Sequence, residues 1–486
     1  MPTRRRLGRS MSRRDFLKVA GAGAVTVGAL GAAGERLFAG EPARKPNIVF
    51  VFPDQMRQCS WSGGGDAQVK APNLEAMARE GVTFSHCISN HPLCSPYRAS
   101  LLTGRYQQAH TVSHNVGNQG GLPLTEITIA DVLKKAGYAT GYVGKWHLYN
   151  GGTGLGAPFV PPGPHRHGFD YWRVCHNYRS RYDTRYYDDN GHEVVLPDYA
   201  PKCQMDLMLE FIEKNADKPF CVFLSWHPPH APYTEAPKRF VDLYAADKIQ
   251  LRPNVPKGLD GEGTRKNHVG YFSHITALDE EVGRLMKKLA QLGIADHTIV
   301  CFSSDHGDML ASFSRYGKNV PWEEAVNVPF LIRWPAGIPA GKRLNTLFST
   351  VDIVPTLLGL AGVPIPPPMQ GTDLSAILKG GNAPGPDSVF IMGDTVANAV
   401  EDETEGAPAA GEKKKAKGAG DKGRGWLGVR TARFTYAKKG QNPWLLYDNE
   451  KDPHQLHNLA EDAGHEPKRK ELDAVLAAWL KRVGEA

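Results

Sequence analysis

Cysteine is scarce and unpatterned in this chain. Its seven cysteines (Cys59, Cys87, Cys94, Cys175, Cys203, Cys221, Cys301) are spread over 486 residues. That is too few for a disulfide framework at this length, and no two share the CxxC spacing of a metal knuckle. No apolar run reaches the ~20 residues of a membrane span, no segment repeats, and no nucleic-acid recognition motif occurs. An excess of charge of one sign is also nearly missing. The formal net charge is +7, from 58 Lys+Arg against 51 Asp+Glu, but residues 1–40 hold eight basic residues against Asp15 and Glu35. That local +6 leaves only +1 for the rest, so net charge does not point to nucleic acid as a partner. With 41% hydrophobic and 22% charged residues, the composition excludes disordered, collagenous and coiled-coil classes. A length prior of roughly 150 residues per domain allows about three domains, or one large α/β unit.

What is present begins with the basic N-terminus. Ser12-Arg13-Arg14-Asp15-Phe16-Leu17-Lys18, then a Gly/Ala/Val run from Val19 to Ala33 and small residues at Ala39-Gly40, is similar to a twin-arginine signal peptide over residues 1–40. The alternative, an uncleaved anchor, asks for a longer and more apolar run. A twin-arginine signal implies a folded protein passed through the twin-arginine machinery to the periplasm or the medium, with no stable membrane span. Any disulfides formed after such export would be additions to the fold.

Short β-branched runs alternate with helical patterns, which predicts an α/β fold with a large, mostly parallel central sheet sandwiched by helices. Strands are expected at Asn47 to Phe52, Ala139 to Val143, Phe220 to Trp226, Thr298 to Phe302 and Val328 to Trp334. Helices are expected at Pro72 to Glu80, Ile127 to Lys135 and Phe272 to Leu292, the last from the stripe Ile275, Leu278, Val282, Leu285 and Leu289. The proline cluster at Val363 to Pro368 reads as a boundary, giving a main domain at 41–365 and a smaller α+β C-terminal subdomain at 366–486. Within the latter, residues 401–424 are low in complexity and read as a mobile insertion. A hairpin over Gly428 to Tyr436 and Trp444 to Tyr447, and a helix over Lys470 to Val483, complete it.

Ionisable residues follow directly on several of these strands, and in open α/β sheets the carboxyl ends of strands are where ligands bind. Asp54 and Gln55 follow the first. Lys145 and His147 follow Ala139 to Val143, His227 and His230 follow Phe220 to Trp226, and Asp305, His306 and Asp308 follow Thr298 to Phe302. Lys318 stands in Gly317-Lys318-Asn319, and Cys94 precedes Pro96 at the start of a helix, where free N–H groups favour an anion. Asp54, Gln55, Asp305 and His306 offer oxygen and imidazole ligands suited to Ca²⁺, Mg²⁺ or Mn²⁺. Arg98, Lys145, Lys318, His147 and His230 supply the positive charge and proton traffic that a tetrahedral oxyanion requires. Together they describe a site for a sulfate or phosphate ester. Taken singly, each residue has a plainer reading as a helix cap, a solvated lysine or a core thiol.

The run Cys94-Ser95-Pro96-Tyr97-Arg98 with Leu102-Thr103-Gly104-Arg105 resembles the signature of the type I, cysteine-type sulfatases of the alkaline-phosphatase-like superfamily. The companion motifs stand in that family's order from Pro46 to the C-terminus. The resemblance implies that 41–365 is the catalytic domain and that Cys94 is oxidised by a formylglycine-generating maturation enzyme to Cα-formylglycine, whose hydrated aldehyde is the nucleophile. It implies a divalent cation on Asp54, Gln55, Asp305 and His306, with the modified Cys94 as a further ligand. Arg98 would hold the diol and Lys145 would contact diol and sulfate. His230 or Lys318 would assist the departing alcohol, and His147 would deprotonate the second hydroxyl to expel sulfate.

Many family members carry a second Asp at the Gln55 position and an Asn at the His306 position, so this site has fewer negative charges. Calcium is the family default, with Mg²⁺ or Mn²⁺ as alternatives. The implied activity is hydrolysis of sulfate monoesters, of carbohydrates and also of aryl sulfates. The alternatives are a phosphonate monoester or phosphodiester hydrolase with the same nucleophile, and a non-catalytic binder of sulfated glycans. His110 and His114 are candidate pocket residues against a reading as plain surface histidines. Tyr178 to Tyr187, with Arg179, Arg181 and Arg185, reads as a glycan contact or as a packed surface loop.

Overall fold

The structure, a computed structural model, describes residues 45–116, 121–151, 159–175, 181–394 and 425–485. The expected export signal, the 401–424 insertion, Tyr178 and Arg179 lie outside the described residues. Pro46 to Ala486 form one compact unit.

Its centre is a nine-stranded sheet. In chain order the strands are β1 (Asn47–Asp54), β2 (Val82–Ile88), β3 (Ala139–Gly144), β4 (Tyr171–Val174), then a separate two-stranded hairpin β5 (Arg185–Tyr187) and β6 (Glu193–Val195), followed by β7 (Phe220–Pro229), β8 (Thr298–Phe302), β9 (Asn327–Val328), β10 (Leu331–Arg333) and β11 (Lys342–Ser349). The spatial order is β11-β2-β10-β8-β1-β7-β3-β4, with β9 paired to β2. Strands β8, β1, β7, β3 and β4 run parallel to one another, β11 runs parallel to β2, and β10 is antiparallel to both β8 and β2.

Both faces of this sheet are covered, which is why its strands read as continuous apolar runs. Alternation splits each strand between two cores. Ile48, Phe50 and Phe52 face one core together with Phe223 and Ile299, and Val49 and Val51 face the other with Val222, Leu224 and Val300. The first core is closed by helices α2 (Cys94–Thr103), α3 (Ile129–Lys135) and α6 (Thr350–Ala361), and the second by α1 (Pro72–Glu80), α4 (Ala200–Lys214) and α5 (Glu262–Gln291). The stripe Ile275, Leu278, Val282, Leu285 and Leu289 lies in the second core. Helix α5 begins ten residues before the expected Phe272, because Glu262 to Tyr271 lack the apolar period that marks the rest.

The expected strand at Val328 to Trp334 is two short antiparallel pieces, β9 and β10. Pro329 between them has no N–H to give to a ladder. Beyond the main sheet, β12 (Ser388–Gly393), β13 (Trp426–Thr431), β14 (Phe434–Lys439) and β15 (Asn442–Asp448) form an antiparallel sheet covered by α7 (Glu466–Val483). The Gly428 to Tyr436 segment therefore holds the end of β13, a two-residue turn and the start of β14, not one strand.

The strands that carry the candidate residues are contiguous and parallel, in the order β8-β1-β7-β3, so their carboxyl ends meet at one edge. Gly144 makes that meeting close. Its φ is 94°, and a Cβ there would lie 2.0 Å from the Ser225 carbonyl oxygen. The next residue, Lys145, donates its N–H to the same oxygen at 2.9 Å. Gly144→Ala is expected to lower unfolding free energy by about 2 kcal/mol or more, measured from the urea midpoint. An unchanged midpoint would show that β3 and β7 can part there without cost.

Candidate active site

Asp54 ends β1, and its two oxygens face different partners. Oδ2 accepts from Lys145 Nζ at 2.5 Å and from Arg98 Nη2 at 3.2 Å. Oδ1 lies 3.5 Å from His306 Nε2 and 3.8 Å from Cys94 Sγ. Asp305, just past β8, is held by the Gln55 N–H at 3.0 Å and its neighbour's N–H at 2.9 Å on Oδ1, and by Arg98 Nη2 at 3.0 Å on Oδ2. Arg98 thus joins the two carboxylates. Its Nη1 donates to Lys145 O at 2.8 Å and to Ser225 Oγ at 2.6 Å, tying helix α2 to the ends of β3 and β7.

Cys94 is the first residue of α2 and is fully buried. Its sulfur lies 3.3 Å from His306 Nε2 and 3.5 Å from Lys145 Nζ. His306 Nδ1 donates to the Gly307 carbonyl at 3.0 Å, so Nε2 is the ring nitrogen aimed into the cluster, where Asp305 and Cys94 outweigh burial and raise its pKa. One ligand atom each from Asp54, Cys94, Asp305 and His306 lies within 4.8 Å of all the others, and all four residues are buried. Two carboxylates and a correctly oriented imidazole so close together fit a divalent cation.

Charge in this cluster is set by opposed effects. Burial pushes Asp54 up, but Lys145, His230, His306 and Lys318 outweigh it and hold its carboxyl well below the usual range. Asp305 has no such surplus: burial and the Asp54 charge push it up to about 6, against His306 and Arg98. Burial and Asp54 raise the Cys94 thiol, while Lys145, Lys318 and His306 pull it down, and the net value is about 7.

Gln55 lies at the same edge with its backbone at φ 76°. Its amide is oriented by a second network: Nε2 donates to Asp308 Oδ2 at 2.7 Å, and Oε1 accepts from Lys318 Nζ at 3.0 Å. Asp308 also accepts from the Tyr233 hydroxyl and from the N–H groups of Leu310 and Gly317. Lys318 Nζ reaches His230 Nε2 at 2.9 Å, while His230 Nδ1 donates to the Ala231 carbonyl at 2.8 Å. His230 is therefore the Nδ1–H tautomer with a bare Nε2, and burial together with Lys318 holds its pKa well below the ordinary value. His147 follows β3 with its backbone at φ 57°, and its carbonyl accepts from Ser95 Oγ at 2.6 Å.

Supporting residues came with weaker signals. Asp308 stood beside the Asp305-His306 pair, but nothing in its spacing shows that it orients Gln55. Ser225 lies inside an apolar strand, where a lone serine reads as filler. Arg181 is buried and donates to the carbonyls of His230 at 2.6 Å and Ala231 at 2.9 Å, so it braces the His230 loop. Arg185, on β5, pairs with Glu193 across the hairpin. His110 is not a pocket residue. It is buried, with Nε2 3.0 Å from Ser100 Oγ and Nδ1 accepting from the Val112 N–H at 3.1 Å, and so packs beneath α2. His114 is about one-third exposed.

The value near 7 makes a prediction for protein whose Cys94 remains a thiol, in the presence of chelator. Alkylation of Cys94 by iodoacetamide should be slow below pH 6, where the thiol is protonated, and reach half its limiting rate near pH 7. Lys145→Met should move that midpoint upward, because it removes the strongest of the cations that lower it. Alkylation rate against pH, followed by peptide mass spectrometry, measures both.

Comparison with known proteins follows this geometry. A sulfatase family profile matches residues 46–363. The chain is 36% identical over 448 residues to an ulvan-active sulfatase of Formosa agariphila, covering 91% of this chain and 82% of that protein. It is 30% identical over 481 residues to an endo-4-O-sulfatase of Bacteroides thetaiotaomicron, covering 88% and 90%. A solved structure from work on the metabolism of multiple glycosaminoglycans by Bacteroides thetaiotaomicron superposes with a TM-score of 0.78 at 28% identity, covering 91% of this chain and 97% of that one. The profile alone spans more than half of the residues, and with these relatives it shows that the chain belongs to the sulfatase family of the alkaline-phosphatase-like superfamily and is a sulfuric ester hydrolase.

Proposed function

We propose that this chain is an exported sulfatase that hydrolyses sulfate monoesters on carbohydrates, using a formylglycine made from Cys94 and a calcium ion. The observation that carries the reading is the buried Asp54, Cys94, Asp305 and His306 group fenced by Arg98, Lys145 and Lys318. One relative is an ulvan-active sulfatase and another an N-acetylglucosamine-6-O-sulfatase, which supports the carbohydrate class. The twin-arginine motif supports export to the periplasm or the medium.

Asp54, Asp305 and His306 would hold the cation, with Gln55 beside them. When present, the cation supplies Lewis-acid polarisation and the hydrated formylglycine supplies an attacking hydroxyl. The protein's own groups do the rest. Lys145, 3.5 Å from Sγ, places a fixed positive charge where sulfate oxygens would gather negative charge. Arg98 bridges the two carboxylates and holds them in place. His230 is neutral at rest, so the proton for the departing alcohol comes from the Lys318 ammonium, handed on directly or through His230 Nε2. His147, carried beside α2 by its carbonyl bond to Ser95, would take up a proton as sulfate leaves.

Cys94→Ala is expected to reduce sulfate release by at least about a thousandfold, the usual consequence of losing a nucleophile, with little change in melting temperature. In active wild-type protein the Cys94 peptide should react with a hydrazide probe as an aldehyde. A fully active protein with an intact thiol would end the formylglycine mechanism. On the same preparation, an aryl sulfate should be turned over faster than an aryl phosphonate. The reverse order would favour the phosphonate hydrolase reading, and tight glycan binding with no release from either ester would favour the binder.

Exhaustive chelation should abolish turnover and lower the melting temperature, since a cation that binds only the folded site stabilises it. Calcium should restore both. Restoration by magnesium or manganese alone would reassign the metal.

A further inference from the structure

A second polar cluster lies against the site and is used by none of the steps above. His91 is three residues before Cys94, fully buried, and its Nδ1 is bonded to Gln107 Oε1. With that oxygen accepting, Nδ1 carries the proton and Nε2 presents a lone pair. Nε2 has no hydrogen-bond partner and faces Asp394 Oδ2, which has none either, at 3.8 Å. Asp394 follows β12. Its N–H donates to Asn319 Oδ1 at 3.1 Å, and Asn319, next to Lys318, donates its own N–H to the Pro92 carbonyl at 3.0 Å. The bond from Met392 N to Asn90 O, at 2.9 Å, holds the end of β12 against the His91 loop. At the rim, His114 Nε2 lies 3.6 Å from Asp394 Oδ1 with its side chain 35% exposed. The adjacent Asn115 caps the first turn of α2 by accepting from the Ser95 N–H at 3.1 Å.

Burial keeps His91 neutral and pushes the Asp394 carboxyl up to about 7, so above that pH two buried acceptors face each other without a donor, an incomplete arrangement. Among the described residues the Asp54 group is the one that brings three or more metal-ligating side chains together, so a second cation does not fit here. What fits is a neutral group that donates hydrogen bonds. The cluster is tied through Asn319 and Asn115 to residues beside Lys318 and Cys94, so such a group belongs to the substrate, close to its ester.

We propose that Asp394 and His91, with His114 at the rim, read the sugar ring that carries the sulfate, accepting hydrogen bonds from free hydroxyls neighbouring the ester. The inference rests on the sulfatase reading and makes it narrower. A ring with free hydroxyls beside the sulfate is accepted, and a ring carrying a second sulfate or a carboxylate there is repelled by Asp394 once its carboxyl is ionised.

The test compares kcat/KM for two probes on one preparation: methyl pyranoside monosulfates with free neighbouring hydroxyls, and 4-nitrophenyl sulfate, which has none. Asp394→Asn is expected to lower the pyranoside-to-aryl ratio at least roughly tenfold. A monodeoxy pyranoside sulfate lacking the neighbouring hydroxyl should be a poor substrate for wild type and lose no more in the variant. Asp394→Ser, with melting temperatures for both variants, separates substrate reading from a folding defect, which lowers both activities together. A parallel fall on both probes, an unchanged ratio, or wild-type turnover of doubly sulfated rings as fast as monosulfated ones would overturn the proposal. If wild type cleaves the aryl sulfate but no pyranoside, the proposal fails and the sulfatase reading stands. If it cleaves no sulfate ester at all, the sulfatase reading has failed, and this proposal with it.

Discussion

The bridge from Arg98 to Asp54 and Asp305 is the interaction on which the rest of the site depends. Two carboxylates buried side by side repel each other, and burial opposes the ionisation of both. One guanidinium, planar and permanently charged, reaches both at once and still has donors for Lys145 O and Ser225 Oγ. A lysine has no such fork. The bridge therefore fixes the spacing of β1 and β8 at their carboxyl ends and holds α2, with Cys94 at its first position, over the ends of β3 and β7.

A second network does for Gln55 and Lys318 what Arg98 does for the carboxylates. Asp308 accepts from Gln55 Nε2 and turns the amide so that its oxygen faces Lys318. Lys318 in turn donates to a His230 whose tautomer is fixed by the Ala231 carbonyl. The two networks meet at Gln55, whose backbone N–H belongs to Asp305 and whose side chain belongs to Asp308. Charge and amide orientation are assigned by partners that stand far apart in the chain, while the His230 tautomer is assigned by its immediate neighbour.

Much of the fold was legible because its physics is local. Strands buried on both faces must be apolar throughout, so β1, β3, β7 and β8 announced themselves, and the three-and-four spacing of Ile275 to Leu289 marked α5. Elements without a sharp local pattern were missed. Strands β2 and β11 mix polar and apolar residues, as in Val82–Ile88 and Lys342–Ser349. Helix α6 was missed although a Ser349–Asp352 capping box and Gly362 bound it, because Pro355 inside it reads as a breaker, and α4 although Pro201 stands in its first turn. Pro329 divided one expected strand into two, and the antiparallel direction of β10 had no local marker.

The sequence by itself determined the chemical types, their order along the chain and their attachment to strand ends: a Cys-x-Pro-x-Arg turn into a helix, an Asp after β1, an Asp-His pair after β8, and cations after β3 and before β9. It also determined the class, since that combination is more specific than any of its members. Tertiary structure decided which atoms meet. It made Arg98 the link between carboxylates, gave Gln55 to Asp308 and Lys318, placed His110 beneath α2, and set His91 opposite Asp394. Residue identity fixes what a side chain can do, but hydrogen bonding and ion pairing act over about 3 Å, and only the packing of parallel strands brings residues hundreds of positions apart within that range.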